Sequence, residues 1–525
     1  MKVAGEESRE KLLSGILLFL LAVTAYYPVL DNFFTWDDFV WVYRAKTLAG
    51  NPLQLFGIDA VYFDPLVYFW FWIDFQLHGL NPFWYHLGDI IIHAVNGFLL
   101  YLLVRKLAKD SFAALASSII FVSSFAVVDA VAWSSSRVDL LMVFFSILTL
   151  LFFLNHLADG GRRAFAMAMI AYILALSAKG TPLLLPCLLA VILLQRGELV
   201  RHWRLLLPFL VSVIIYLSLL VWRLSYAGKS LLVGGNGLNI HNFLLSFGEL
   251  FVPELRLASL NITSVAIALI LLLCLCCFLL TGLHRSTTIF GLALIFVGLV
   301  PVLILKDFKM VTTIQNAGQL LNSPSHRIYL ASAGAACCSG SILAALFRRF
   351  NSYRIGSILL LLLVAYSFYE VRLRERFWSG SAKYIRNSVE GIANYKKLLL
   401  DDSAVGLVNF PMSRGFMRPV LSLYCGLDQV FFLPMSSIPQ EIPDAPEILR
   451  YRNRGFFFVY ANDRVINLSR SFARLLDIAF LYQFSADGRE RQQLAAEYSS
   501  LANEINTSTA DSFKSFPADF TDHEL

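Results

Sequence analysis

Thr35-Trp36-Asp37-Asp38-Phe39 follows closely on the first long apolar run of the chain, Leu12 to Leu30. Crossing a bilayer takes roughly 20 mostly apolar residues, and this run is long enough. Two adjacent acids therefore stand where the chain leaves the membrane, among Phe33, Phe34, Trp36, Phe39 and Trp41. A carboxylate placed there stays hydrated while facing a lipid head group, which suits a base acting on a lipid-linked substrate. The competing reading is an interfacial loop, with aromatics that anchor the helix and acids that are merely solvated.

Working outward, the rest of the chain has the character of the opening. Of its 525 residues 57% are hydrophobic and 15% charged, with mean hydropathy +0.64. Soluble domains carry about 25% charged residues, so the composition is that of a polytopic membrane protein. Six of the seven cysteines (Cys187, Cys274, Cys276, Cys277, Cys337 and Cys338) lie in apolar runs, and only Cys425 does not, so neither a disulfide framework nor a zinc pattern is indicated. The net charge of +6 falls largely in short loops between spans and gives no reason to expect a nucleic-acid partner. No A-x-A cleavage site follows the first run, which reads as a signal anchor.

Hydropathy predicts about eleven spans, near 12–30, 87–104, 112–133, 138–157, 164–178, 181–195, 205–222, 260–282, 287–305, 328–347 and 355–371. Lys and Arg gather in the loops after the second, fourth, sixth, eighth and tenth spans and at the N-terminus, which makes that side cytoplasmic. Loops 31–86, 223–259 and 306–326 then lie outside, as does everything after residue 372. Within the first of these loops, the stretch 66–77 is too short to span and reads as an interfacial helix, as does Phe243 to Phe251 in the second.

Residues 1–371 thus form the membrane module, and 372–525 have the composition of a small extracytoplasmic α/β domain. In that domain Ser381 to Leu400 reads as a helix. Ala404–Phe410, Gln429–Leu433, Phe456–Tyr460 and Ile478–Phe484 read as strands, and Arg489–Ile505 as a late helix.

Charges at the outer ends of spans are costly and are candidates for function. The acids are Asp37, Asp38, Asp129 and Asp139; the cations are Arg137, Lys179, Lys306, Lys309, His326 and Arg327. Outer cations run against the orientation bias, and a phosphate or pyrophosphate head group would account for them. For Arg137 the alternative is a salt bridge to Asp139 or Asp129. His86 and His93 share a helix face and read as packed helix histidines or as ligands.

The pattern resembles GT-C glycosyltransferases, and among them the tetratricopeptide-bearing transmembrane O-mannosyltransferase group and its bacterial relatives. The resemblance is carried by Trp36-Asp37-Asp38, Pro65-Leu66-Val67, Gly79-Leu80-Asn81-Pro82, His86 and His93-Ala94. It continues through Asp129 to Trp133, Arg137-Val138-Asp139, Ser177-Ala178-Lys179 and Arg327 to Gly334. Four departures stand out. Ser124 to Asp129 replaces a usual His-Pro-x-His-x-Glu, Asp64 replaces an Arg, Gly180 replaces a Glu, and 372–525 stands where the repeats would be.

The resemblance implies transfer of a sugar from a polyprenyl-phosphate donor to a protein, glycan or lipid acceptor at the outer face. It implies Asp37 as base with Asp38 beside it, Arg137, Lys179 and Arg327 on the donor phosphate, and Asp129, Asp139, His86 and His326 in support. A divalent metal, if one takes part, would sit on Asp37 and Asp38. The protein would reside in a bacterial inner membrane or the ER membrane, among membrane lipids. Rival readings are a flippase or transporter for lipid-linked saccharides, a polysaccharide polymerase or ligase, and a non-catalytic scaffold. A transporter would be expected to show inverted repeats and midplane ionisable residues, and neither is evident in the sequence.

Overall fold

A computed structural model of the protein describes residues 2–48, 63–226, 240–251, 285–303, 325–349, 353–399, 403–408, 410, 412, 414–427, 431–433, 455–461 and 464–513. The chain divides into two compact units. The first takes Met1–Asn32, Arg44–Val311 and Leu321–Ser379; the second takes Phe33–Tyr43 and Gly380–Leu525 among its segments. The C-terminal run of the second unit begins at Gly380, and the acidic stretch at 37–38 is grouped with it.

The first unit is a helical membrane module. Seven described helices are long and apolar enough to cross a bilayer: Glu6–Asp31, Pro82–Ala108, Ser134–Asp159, Leu199–Tyr226, Arg285–Leu303, His326–Arg348 and Arg354–Ala393. Ser111–Val122 and Phe125–Ala132, bent by 52°, make an eighth if they form one span. The expected spans 164–178 and 181–195 correspond to Arg162–Ala178, a helix of 17 residues, and to the short apolar helix Thr181–Gln195. The expected span 260–282 lies outside the described residues. The protein is an integral membrane protein: Leu12, Ile214 and Leu361 are each more than 60% exposed on spanning helices, where lipid rather than water receives them.

Inside the module, small residues let helices approach closely. A Cβ added to Gly334 would lie 2.5 Å from Gly291 O, and one added to Gly291 would lie 2.7 Å from Cys338 Sγ. Cys337 and Cys338 are thus part of a tight crossing between Arg285–Leu303 and Tyr329–Arg349. His93 is a packing residue. Its Nε2 lies 3.1 Å from Val122 O, a pure acceptor, so Nε2 carries the proton and Nδ1 accepts from Tyr329 Oη at 2.7 Å. Asn96 Nδ2 donates to the same hydroxyl at 3.2 Å.

The short apolar stretch 66–77 lies in the helix Pro65–His78, started by a proline and ended at Gly79 with φ +58°. The helix that holds the last expected span, 355–371, continues beyond it as the 41-residue helix Tyr353–Ala393, in which Arg372 pairs with Glu375 at 2.6 Å and Arg374 with Glu249 at 2.7 Å.

In the second unit a four-stranded sheet has the order β2-β1-β3-β4, with β1 Ala404–Val408, β2 Phe431–Leu433, β3 Gly455–Ala461 and β4 Arg464–Asn467. β1 runs parallel to both β2 and β3, and β3 pairs antiparallel with β4. Ile478–Phe484, expected as a strand, is instead the end of the helix Ser469–Phe484. The physical reason is periodicity: Phe472, Leu475, Leu476 and Ala479 recur at helical spacing and are all buried. Asn467 Oδ1 accepts from Ser469 N at 2.9 Å at the start of that helix. The late helix, Gly488–Phe513, buries Tyr498, Ala502 and Ile505 in the same core.

Candidate active site

The acidic pair opens the helix Asp37–Leu48, where a negative charge meets the positive end of the helix dipole. Trp36 just before it takes φ +39°, a left-handed turn that redirects the chain. Asp38 is completely buried, and its Oδ2 accepts from Thr35 N at 2.9 Å and Thr35 Oγ1 at 3.3 Å. One carboxylate therefore closes the turn. Asp37, one residue earlier and on a different side of the helix, is half-buried. Phe33, Phe34 and Phe39 form a buried aromatic wall, with centroids 6.0 to 6.1 Å apart. Tyr424 packs against it at 5.9 Å from Phe33.

The membrane unit gathers cations and acids of its own. Arg137 begins the helix Arg137–Asp159 and is wholly buried. It was expected at a donor phosphate with Asp129 or Asp139 as the alternative partner, but its guanidinium is turned elsewhere. Nε donates to Asp89 Oδ1 at 2.6 Å, Nη2 to Tyr85 O at 2.7 Å, and Nη1 to Asp74 Oδ2, with Phe71 beneath at 4.8 Å. Asp139 instead holds Lys179, with Nζ 2.6 Å from Oδ1, and the Lys179 side chain keeps 27% of its surface exposed. Arg327 is half-buried, and its charge acts on Asp139. His326 next to it meets Trp133 edge-on at 5.3 Å.

Asp64 joins this group. It is buried, and burial pushes its carboxyl up to about 7 against the opposing charges of Lys179 and Arg223. Tyr68 accepts from Arg44, and Arg223 lies over Phe63 at 5.0 Å.

The remaining expected residues have local duties. Asp129 Oδ1 accepts from Trp378 Nε1 at 2.8 Å, and Trp378 stacks on Trp133 at 5.9 Å. His86 is buried with Nδ1 3.3 Å from Ser134 Oγ. So Lys179, Asp139, Arg327 and His326 come together in the membrane unit, with Asp129 linked to them through Trp378 and Trp133. Asp37 and Asp38 come together in the other unit. Among the described residues no group of three His, Cys, Asp or Glu side chains is arranged to hold a metal ion, and one oxygen of Asp38 is committed to Thr35. The described residues thus do not fit a metal on the acidic pair.

Sequence reasoning passed over Asp74, Asp89 and Arg223, and noted Asp64 only as a departure from the family pattern. Asp89 carried a readable signal, an acid inside the apolar run 87–104 that demands a partner. Arg137 is that partner.

Comparison with known proteins matches the middle part of the stretch that prompted the resemblance. Residues 64–223 match the family described as Dolichyl-phosphate-mannose-protein mannosyltransferase. Asp74, Asp89, Arg137, Asp139, Lys179 and Arg223 all lie in that stretch. Protein O-mannosyl-transferase F38B6.6 of Caenorhabditis elegans is 28% identical over 169 residues, 28% of this chain and 24% of that protein. The chain thus matches about a quarter of the length of this relative.

Among solved structures, ArnT from Cupriavidus metallidurans bound to undecaprenyl phosphate is similar at 14% identity and TM-score 0.46, over 85% of this chain and 93% of that one. The oligosaccharyltransferase AglB from Archaeoglobus fulgidus, in complex with an inhibitory peptide and a dolichol-phosphate, is similar at 13% identity and TM-score 0.43, over 86% and 69%.

Proposed function

We propose that this protein is a membrane glycosyltransferase that moves a sugar from a polyprenyl-phosphate donor to a hydroxyl acceptor at the outer face of the membrane. The observation that carries the reading is the division of labour in the acidic turn: Asp38 is locked to Thr35 while Asp37 stays half-buried at the head of its helix. The mannosyltransferase match over 64–223 supports the class of reaction. Mannose is accordingly the first sugar to test on the donor.

An acceptor hydroxyl is a poor nucleophile at neutral pH. In the proposed step Asp37 accepts its proton as the oxygen attacks C1 of the sugar. The bond between C1 and the phosphate oxygen breaks, and its electron pair leaves with the polyprenyl phosphate. That leaving group needs no proton, only cations to take up the developing charge. Lys179, steadied by Asp139, and Arg327 are proposed for that role, with His326 in support. Arg137 then serves the framework through Asp74 and Asp89.

The proposed orientation puts the N-terminus in the cytoplasm and the C-terminal unit outside. A reporter fused after Glu370 should be active only if it is an exported type, and one at Lys106 only if it is a cytoplasmic type. The reverse pattern would place Asp37 on the wrong side for this chemistry.

The function itself is tested by offering purified protein a panel of polyprenyl-phosphate sugars and simple hydroxyl acceptors, with and without a chelator. Release of polyprenyl phosphate coupled to glycosylated product, unaffected by the chelator, is the expected result. Donor binding without turnover, or lipid movement across vesicles without transfer, would favour a carrier and reject the enzyme.

A further inference from the structure

The C-terminal unit contains more than a sheet and its helices. Its contacts include the loop that carries the acidic pair, and they converge on Phe33 and Phe39, on either side of Asp37 and Asp38. Arg386 Cζ lies 5.5 Å over the Phe33 ring. Tyr424 meets Phe33 at 5.9 Å and Phe39 at 6.3 Å. Two separate segments of this unit thus grip the same aromatic wall.

The segment presenting Tyr424 is unusual in itself. Pro419 lies inside the helix Arg414–Val420, and the next turn, Leu421–Cys425, is π-helical. It ends at Gly426, whose φ of +76° only glycine adopts without strain, and Leu427 N donates back to Leu421 O at 3.2 Å. Single π turns widen a helix by one residue and are found often at functional sites. Tyr424 Oη is buried with no hydrogen-bond partner among the described residues, so ring packing is what this side chain visibly contributes. An aromatic cluster of this kind is stiff, because each ring has few torsions and large contact area.

We propose that the C-terminal unit is part of the transfer machinery, with Tyr424 as a positioning residue whose ring, seated on Phe33 and Phe39, fixes the loop that carries Asp37 and Asp38. The inference rests on the reading of Asp37 as base and extends it to a domain whose role the sequence leaves open. A base must be held within a fraction of an ångström of its working place, and a misplacement of about 1 Å costs on the order of 10²-fold in rate.

The test uses the full-length protein in detergent, with Tyr424→Phe, Tyr424→Leu and Asp37→Asn measured side by side. Tyr424→Phe keeps the ring and should turn over within about twofold of wild type. Tyr424→Leu should lose on the order of 10-fold to 10²-fold in kcat with the donor KM and the unfolding temperature little changed. A Phe33→Leu, Tyr424→Leu double variant should fall no further than the worse single variant, since both loosen one wall.

Three results would overturn the role: full turnover in a folded Tyr424→Leu protein, an equal loss in Tyr424→Phe, or strict additivity in the double variant. Full turnover in Asp37→Asn would sink the base assignment and the positioning role with it. An inactive Asp37→Asn beside a fully active Tyr424→Leu rejects the positioning role alone.

Discussion

Arg137 and Lys179 were both expected to meet the donor phosphate, and the structure puts them in opposite surroundings. Arg137 has no exposed surface, and its three nitrogen groups donate to Asp89, Asp74 and Tyr85 O. Lys179 keeps 27% of its side chain exposed and is held at one point by Asp139. An ion enclosed with its hydrogen bonds used belongs to the framework, while one tethered by a single contact retains donors for a ligand. The same contrast recurs in the other unit. Asp38 is sealed into the turn by Thr35, and Asp37 beside it remains half-buried. In each unit one charged residue is fully buried and hydrogen-bonded, and another keeps part of its surface exposed.

The contrast is broken most forcefully at Arg137. Arg137→Met strands two buried carboxylates, and losing one partner of a buried ion pair costs about 3–5 kcal/mol. The expected outcome is a severe loss of folded protein, measured by yield and by thermal unfolding in detergent. A variant that folds normally and merely binds donor more weakly would return Arg137 to the phosphate.

Lys179→Met sharpens the other side. A charged hydrogen bond contributes about 1.5–3 kcal/mol, so donor affinity should drop about 10-fold to 10²-fold while the unfolding temperature changes little. Competition binding with polyprenyl phosphate checks this. Unchanged affinity in both Lys179→Met and Arg327→Gln would remove the phosphate role from this cluster.

Asp64 offers the smallest and most diagnostic effect. Its carboxyl is pushed up to about 7 in the folded protein by burial, against about 3.9 for a free aspartate. Between those values the folded state holds a proton that the unfolded state has lost. Stability from this group is therefore complete below about pH 4 and falls as pH rises toward 7. Asp64→Asn should flatten that slope, adding on the order of 1–3 kcal/mol at pH 8 and almost nothing at pH 4. Thermal unfolding at both pH values measures it. An equal shift at the two would show that Asp64 does not titrate in this window.

Much of the fold was legible because membrane helices announce themselves by length and apolarity. The helix Pro65–His78 was readable from its aromatics and flanking turns, and three of the four expected strands lie where alternation and turn residues put them. Ile478–Phe484 was misread because a seven-residue apolar run fits strand and helix alike; only the wider spacing from Phe472 onward separates them.

The site was legible in part. Asp37, Lys179 and Arg327 stood out by position at span ends. The partner of Arg137 was not readable, because a long side chain on one helix selects among acids on several others. The Tyr424 contact was still less so, since about 390 residues of sequence separate it from Phe33 and only the folded C-terminal unit joins them.

Asp37→Asn tests the central claim most directly, with donor binding and turnover measured on the same preparation. The substitution keeps size and polarity and removes the ability to take a proton. Turnover should fall about 10²-fold to 10⁴-fold while donor affinity and unfolding temperature stay close to wild type. Wild-type turnover in a folded Asp37→Asn protein would contradict the account.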